Sequence, residues 1–145
     1  MKVVINHCYG GFGLSPKALK AWAKLKGREC HFYEGGLSKP YTPVAEGKEE
    51  DALLNIAFDV RLPFKAVKQG RNDEFNKWYS EHSISSHDIE RNDPDLIRVI
   101  EELGQDEASN RFSNLVIVEI PDGIEYTIQE YDGYEHIAEK HRTWG

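Results

Sequence analysis

Residues 2–16 of the chain read KVVINHCYGGFGLSP, which joins a short apolar run, a glycine-rich turn and a helix start. Residues 3–5 are consecutive β-branched side chains, a pattern typical of a strand that is buried on both faces. Ser15 followed by Pro16 predicts a helix, because Ser is a favoured N-cap and Pro suits the first helical position. We therefore expect a strand, a glycine loop and a helix in this order.

Three helices are predicted from caps and spacing. The first covers residues 16–26, and a second covers residues 72–82, where aromatic side chains recur at helical spacing and indicate core packing. The third begins at Asp93-Pro94, which repeats the cap-then-proline signal, and ends at Gly104. The remaining signals between residues 37 and 92 are too weak to assign a fold to that region.

The last third of the chain predicts three strands. They cover residues 115–120, 124–128 and 134–140, and Asp132-Gly133 is a typical hairpin turn. Because the connections are short, we expect the three strands to form an antiparallel meander. An earlier strand is expected over residues 30–34, after the first helix.

Length and composition favour one packed core. The chain has 145 residues, of which 39% are apolar and 11% aromatic, so residues 1–145 are expected to form a single domain of α/β (α+β) class. No run approaches the ~20 apolar residues of a membrane-spanning helix, and a cytoplasmic protein without membrane contacts is expected. Cys8 and Cys30 are expected to be free thiols.

The charge of the chain is negative overall and unevenly distributed. A formal net charge of −7 argues against general nucleic-acid binding, which needs a surplus of Lys and Arg. Residues 1–28 nevertheless contain six Lys and Arg side chains and no carboxylate, whereas residues 119–140 contain seven carboxylates and one Lys. Both ends can be solvated faces, or they can mark a local anion site and a docking face.

The glycine loop is the candidate ligand site. Its backbone amides and the N-terminus of the following helix are suited to an anion, and Tyr9 or Phe12 is suited to stack on a base. The candidate ligand-binding residues are Tyr9, Gly10, Gly11, Phe12, Gly13, Ser15 and Lys17. The loop matches neither a Walker loop nor a dinucleotide fingerprint. The alternative interpretation is that the glycines only allow a tight turn.

A catalytic role for Cys8 is a further alternative. His7-Cys8 and the glycines after it resemble the spacing of the cysteine phosphatase loop, but Leu14 stands where that loop has its phosphate-binding arginine. A Cys8-dependent hydrolase is therefore an alternative hypothesis, and no other catalytic residue is identified. His7-Cys8 and Cys30-His31 do not predict a metal site, because adjacent residues of a strand point to opposite faces. No metal or cofactor is expected.

Three sets of motifs stand out along the chain. They are Asn6-x-Cys8-Tyr9-Gly10-Gly11-Phe12-x-Leu14-Ser15, Arg91-x-Asp93-Pro94-x-Leu96, and Glu130-Tyr131-Asp132-Gly133 with His141-Arg142-Thr143-Trp144. Together they resemble a group of small phage and prophage-type proteins. The resemblance implies a viral accessory protein in the cytoplasm of a bacterial host, where many proteins of this size antagonise host defences.

Two functions follow from these observations. The first is binding or sequestration of an anionic small molecule, such as a nucleotide or a nucleotide-derived signal, by a protein that is not expected to be an enzyme and that can form a homo-oligomer. The second is inhibition of a host protein that handles nucleic acid, through an acidic docking face. The candidate docking residues are Glu125, Glu130, Asp132, Glu135, Arg142 and Trp144.

Overall fold

The computed structural model contains both helices and strands, which confirms the mixed α+β class. It describes residues 1–34, 41–45, 47–49, 56–62 and 73–139. The described strands are β1 (Lys2–Asn6), β2 (His31–Glu34), β3 (Thr42–Pro43), β4 (Ile56–Phe58), β5 (Ser83–Ile84), β6 (Leu115–Glu119), β7 (Tyr126–Tyr131) and β8 (Tyr134–Glu139). The described helices are α1 (Pro16–Leu25), α2 (Asp73–His82), α3 (Pro94–Leu103) and α4 (Gln105–Ala108).

The chain divides into two compact units. The first unit consists of Met1–Ala18 together with the chain from Ile89 onward, and the second consists of Leu19–Asp88. In the first unit β1 pairs antiparallel with β6, and β7 pairs antiparallel with β8. Most of β1 is buried, as its run of β-branched residues predicts.

The predicted C-terminal meander is divided between two sheets. All three strands are present, and the β7–β8 hairpin turns at Asp132 and Gly133 as expected. β6, however, pairs with β1, with Lys2 opposite Glu119 and Asn6 opposite Leu115. The physical reason is that the backbone of a buried strand needs hydrogen-bond partners, and β6 supplies them to β1 along its whole length.

The cap of α3 follows the sequence prediction. The Asp93 carboxylate accepts a hydrogen bond from the Asp95 amide, and Pro94 occupies the start of the helix. At the other end Gly104 has a φ of 85°, which favours glycine, and its amide donates to a carbonyl of the last turn. The buried face of the helix consists of Leu96, Val99 and Ile100.

Both ends of α1 are also fixed by local hydrogen bonds. Ser15 Oγ accepts a hydrogen bond from the amide of Ala18, the third residue of the helix, at 3.1 Å, as an N-cap does. After the helix, Gly27 has a φ of 72°; its amide donates to the Lys24 carbonyl and the Arg28 amide donates to the Ala23 carbonyl. These paired bonds form a Schellman motif, which stops the helix and leads the chain into β2.

The second unit has a four-stranded antiparallel sheet and an aromatic core. The strand order is β3-β2-β4-β5. The core cluster consists of Tyr33, Tyr41, Phe58 and Phe75. Trp78 and Tyr79 of α2 pack against it, with ring centroids 4.7 Å and 5.4 Å from that of Phe58. The aromatic stripe predicted for this helix therefore packs in the core.

Two of the predicted docking residues, Arg142 and Trp144, lie outside the described residues.

The described helices are short compared with a membrane-spanning helix. No described helix exceeds ten residues, about half of the ~20 that a bilayer-crossing helix requires.

Candidate functional site

The glycines of the predicted ligand loop are places where other backbone or side-chain atoms come close. A Cβ added at Gly10 would collide with the Phe112 carbonyl, and one at Gly13 would collide with the Asn110 side chain. A Cβ added at Gly133, in the β7–β8 turn, would collide with the backbone of Gly11. Close packing therefore explains these glycines, in line with the alternative interpretation from the sequence.

Three of the predicted ligand side chains make other contacts. Ser15 is buried, and its hydroxyl donates to the Glu107 carbonyl at 2.6 Å. Lys17 Nζ lies 3.1 Å from the Glu107 carboxylate. Phe12 is buried beneath the Arg91 guanidinium, whose carbon lies 3.5 Å from the ring centroid. Of the two aromatic candidates, only Tyr9 is exposed to solvent, at 68%.

The amides of the loop are partly covered by the rest of the first unit. Within the described residues, the amides of residues 10–13 make no hydrogen bond. Phe12 and Gly13 are nevertheless buried, and the Gly11 amide faces the turn at Gly133.

The structure shows no activated nucleophile at Cys8. The residue is half-buried, and its carbonyl accepts a hydrogen bond from Asn6 Nδ2 at 2.7 Å. In the part of the chain that the structure describes, no side chain makes a hydrogen bond to the Cys8 thiol. The neighbouring His7 ring stacks on Tyr134, with centroids 4.9 Å apart and an interplanar angle of 7°. The Cys8-dependent hydrolase therefore gains no support from this geometry.

Glu135 was expected on the docking face, but it is buried in the first unit. Its carboxylate accepts hydrogen bonds from both terminal nitrogens of Arg91, at 2.7 Å and 2.9 Å, and from the backbone N–H of Asn6 at 2.8 Å. A carboxylate with these partners is satisfied and unavailable to a partner protein. Glu125, Glu130 and Asp132 are exposed, as docking requires.

A cleft of about 540 Å³ lies in the second unit, between the end of α1 and the sheet. We call it the basic cleft. It is lined by Lys20, Lys24, Arg28, Glu29, Cys30, His31, Phe32, Tyr33, Pro43, Val44, Glu49 and Arg61. None of the ligand residues predicted from the glycine loop belongs to it. Four of its side chains are cationic and two are carboxylates.

Two cations of the basic cleft have carboxylate partners. Arg28 donates from Nε and from a terminal nitrogen to one oxygen of Asp59, at 3.2 Å and 3.0 Å. The other oxygen of Asp59 lies 2.8 Å from His82 Nδ1. Lys20 Nζ lies 4.0 Å from the largely buried Glu49 carboxylate. These two cations are therefore partly neutralised by the protein itself.

The other two cations are open to a ligand. Lys24 and Arg61 are exposed, and neither has a carboxylate partner among the described residues. The Arg61 side of the cleft is fixed to β2 through the next residue, because the Leu62 amide donates to the Tyr33 hydroxyl at 3.0 Å. Two unmatched positive charges thus face a common cleft.

Cys30 lies in the basic cleft as an unreactive thiol. Burial raises its pKa to about 12, and the nearby charges of Lys20 and Arg28 oppose this effect only in part. The thiol is therefore protonated at neutral pH and is a poor nucleophile. Among the described residues, no group of three His, Cys, Asp or Glu side chains is arranged to hold a metal ion.

The sequence indicated only half of this site. Lys20 and Lys24 belong to the basic N-terminal segment and have the i, i+4 spacing of one helix face. Arg61 lies in the region without clear signals, and nothing in its neighbourhood indicates that the chain brings it to α1. The sequence predicted that the helix ends at Gly27, but it did not predict that the Schellman turn there places Arg28 in the cleft.

Comparisons with known proteins identified no relative of this chain. No protein family, no curated protein and no solved structure matches the chain.

Proposed function

We propose that this protein binds a phosphate-bearing small molecule in the basic cleft. The observation that carries the proposal is that Lys24 and Arg61 face the cleft without a carboxylate partner among the described residues. The cleft volume of about 540 Å³ suits a small molecule, since such sites span roughly 300–1,000 Å³.

The lining also suits the two parts of a nucleotide. An arginine can donate two parallel hydrogen bonds to a phosphate, while a lysine contributes a compact positive charge. Pro43 and Val44 supply an apolar edge, against which the flat face of a base can lie. A nucleotide, or a signal derived from nucleotides, combines these features in one ligand.

Sequestration fits this cleft better than turnover does. Cys30 is held in its protonated form, and a bound phosphate needs only the cations to stay in place. The resemblance to small phage proteins supports a role for such binding in a bacterial host. A viral protein that removes a nucleotide-derived signal from the host cytoplasm would weaken a host defence that depends on that signal.

A thermal-shift series tests the proposal directly. The probes are inorganic phosphate, AMP, ADP, ATP and a set of cyclic nucleotides. A ligand at about 100 times its Kd stabilises the folded protein by about 2.7 kcal/mol, which is a measurable rise in Tm. We expect at least one phosphate compound to give such a rise, and we expect added salt to reduce it. No rise with any of these probes would contradict the proposal.

Three charge-neutralising variants locate the site. Lys24→Gln and Arg61→Gln should each lower the affinity for the bound probe about tenfold, because each removes an interaction with phosphate of about 1.4 kcal/mol. Lys17→Gln is the matched control, since it removes the same charge from the same helix outside the cleft. Loss of affinity in Lys17→Gln alone would place the ligand at the glycine loop instead.

A further inference from the structure

Exposed aromatic side chains gather at one place on the first unit. Tyr9 and Tyr131 are 68% and 76% exposed, and Tyr134 is 37% exposed. The ring centroids of Tyr9 and Tyr134 are 5.4 Å apart, and the His7 ring stacks on Tyr134. We define the hairpin surface as Tyr9, Tyr131, Asp132 and Tyr134, of which Tyr131 and Tyr134 lie opposite each other across the hairpin. Large exposed aromatic side chains in one cluster are typical of a binding surface.

The hairpin surface is held in place by buried contacts beneath it. The β7–β8 turn at Gly133 packs against the backbone of the glycine loop. The Asn6 side chain joins these two segments, because its Nδ2 donates to the Gly133 carbonyl at 2.8 Å and to the Cys8 carbonyl at 2.7 Å. Tyr9 and Tyr134 are thus presented by a backbone that does not need to reorganise on binding.

The hairpin surface is negatively charged. Asp132 is exposed in the turn between Tyr131 and Tyr134, whereas the exposed Glu130 precedes Tyr131 in β7 and lies on the other face of the hairpin, where it adds to the negative charge nearby. Neither carboxylate forms an ion pair with any side chain that the structure describes. Aromatic faces beside an exposed carboxylate attract cations, because the face of an aromatic ring is also electronegative.

We propose that the hairpin surface binds an arginine-rich segment of a partner protein. A guanidinium is flat and weakly hydrated, so it stacks on tyrosine rings and at the same time donates two hydrogen bonds to a carboxylate. The molecule contains one such contact internally, where Arg91 lies on the Phe12 ring and donates to Glu135. The hairpin surface offers the same two kinds of partner to a guanidinium from outside.

Charge excludes the other obvious occupants. Nucleic acid would be repelled by Glu130 and Asp132, since its binding requires cations that neutralise phosphates. Two copies of the hairpin surface would place like charges against each other, which opposes self-association. A lysine-rich segment meets the charge requirement but stacks less well, because its ammonium is compact and strongly hydrated.

A labelled nona-arginine peptide tests the inference by fluorescence anisotropy, with nona-lysine as the reference. We expect the protein to bind nona-arginine at least tenfold more tightly than nona-lysine at the same ionic strength. Tyr9→Ala and Asp132→Asn should each weaken binding of nona-arginine by at least fivefold. Asn is chosen at Asp132 because the residue has a φ of 49°, which Asn tolerates.

Glu125→Gln is the matched control, because it removes one exposed carboxylate of the same acidic segment outside the hairpin surface. It should change the affinity less than twofold. Equal affinity for the two peptides, unchanged binding in Tyr9→Ala, or an equal loss in Glu125→Gln and Asp132→Asn would overturn the inference in favour of general charge attraction. A Tyr9-dependent dimer in sedimentation experiments without peptide would overturn it in favour of self-association.

Discussion

Asp59 shows how one carboxylate connects three parts of the second unit. It accepts hydrogen bonds from Arg28, which follows α1, and lies in hydrogen-bond contact with His82, the last residue of α2. Burial raises the pKa of Asp59, but the hydrogen bonds and charges of His82 and Arg28 outweigh burial and hold the pKa below its ordinary value of 3.8. The ionised form therefore stabilises the folded protein.

This arrangement predicts a pH-dependent effect of Asp59→Asn. A carboxylate with a lowered pKa contributes stability above the pKa of the unfolded chain, and that contribution is lost as pH falls through the folded pKa. We expect the variant to be less stable by about 1 to 2 kcal/mol at pH 7, given the partial exposure of these side chains. The difference should shrink below about pH 4, in urea unfolding followed by tryptophan fluorescence.

The control for this experiment is Glu81→Gln, which removes an exposed carboxylate from α2, the helix that ends at the Asp59 partner His82. It should change the free energy of unfolding by less than about 0.5 kcal/mol at either pH. A deficit of Asp59→Asn that stays constant from pH 7 to pH 3 would mean that the charge of Asp59 is not responsible.

At the scale of elements, two glycines in turns provide a matched comparison. Gly123 and Gly133 have φ values of 81° and 87°, so an alanine at either position meets the same left-handed strain. Nothing lies within 4 Å of a Cβ at Gly123, whereas a Cβ at Gly133 collides with Gly11. We predict that Gly133→Ala destabilises the protein by about 1 to 3 kcal/mol more than Gly123→Ala does, in thermal or urea unfolding.

Equal destabilisation by the two alanines would contradict the packing of the β7–β8 turn on the glycine loop. A larger effect at Gly133, together with weaker binding of nona-arginine, would also connect this packing to the position of Tyr9. Gly133→Ala therefore tests both the stability contributed by the β7–β8 turn and the role of that turn in positioning the hairpin surface.

The elements that the sequence predicted are those that local signals define. Ser15 and Asp93 mark helix starts because a cap acts on amides within one turn, and Asp132-Gly133 marks a hairpin because the turn itself dictates its residues. The pairing of β6 with β1 was missed, because no local signal tells a strand which distant strand it meets. The burial of Glu135 was missed for the same reason, since its partner Arg91 lies far away in sequence.

The candidate site was predictable to a smaller extent. A positive charge near α1 was visible in the sequence, and a ligand of negative charge followed from it. The position of the site could not be predicted, because Lys17 and Lys24 are both lysines of α1 and differ only in the residues that surround them in the folded protein. Lys17 meets the Glu107 carboxylate, whereas Lys24 lines the cleft.

At the scale of the whole molecule, the division into two compact units raises the question of whether they unfold together or separately. Glu135→Gln removes a buried charge partner of Arg91 and should destabilise the first unit by about 2 to 4 kcal/mol. If the units open independently, hydrogen exchange of the β1 amides should speed up at least tenfold, while that of β2 and β4 should stay unchanged.

The same measurement tests the expectation of a single domain from residue 1 to residue 145. Equal acceleration in β1, β2 and β4 would show that the chain unfolds as one cooperative body. In that case the two units would not open independently, and the single-domain expectation would be supported.

The pairing of β1 with β6 also matters during synthesis of the chain. Lys2 is translated before Glu119, which lies opposite it, and more than a hundred residues separate the two in sequence. The intervening segment that forms the second unit is complete by then and is free to fold first, since domains generally fold as units in the order of translation. Until β6 is made, the nascent protein carries β1 as an apolar strand without its β6 partner, which exposes that strand to aggregation.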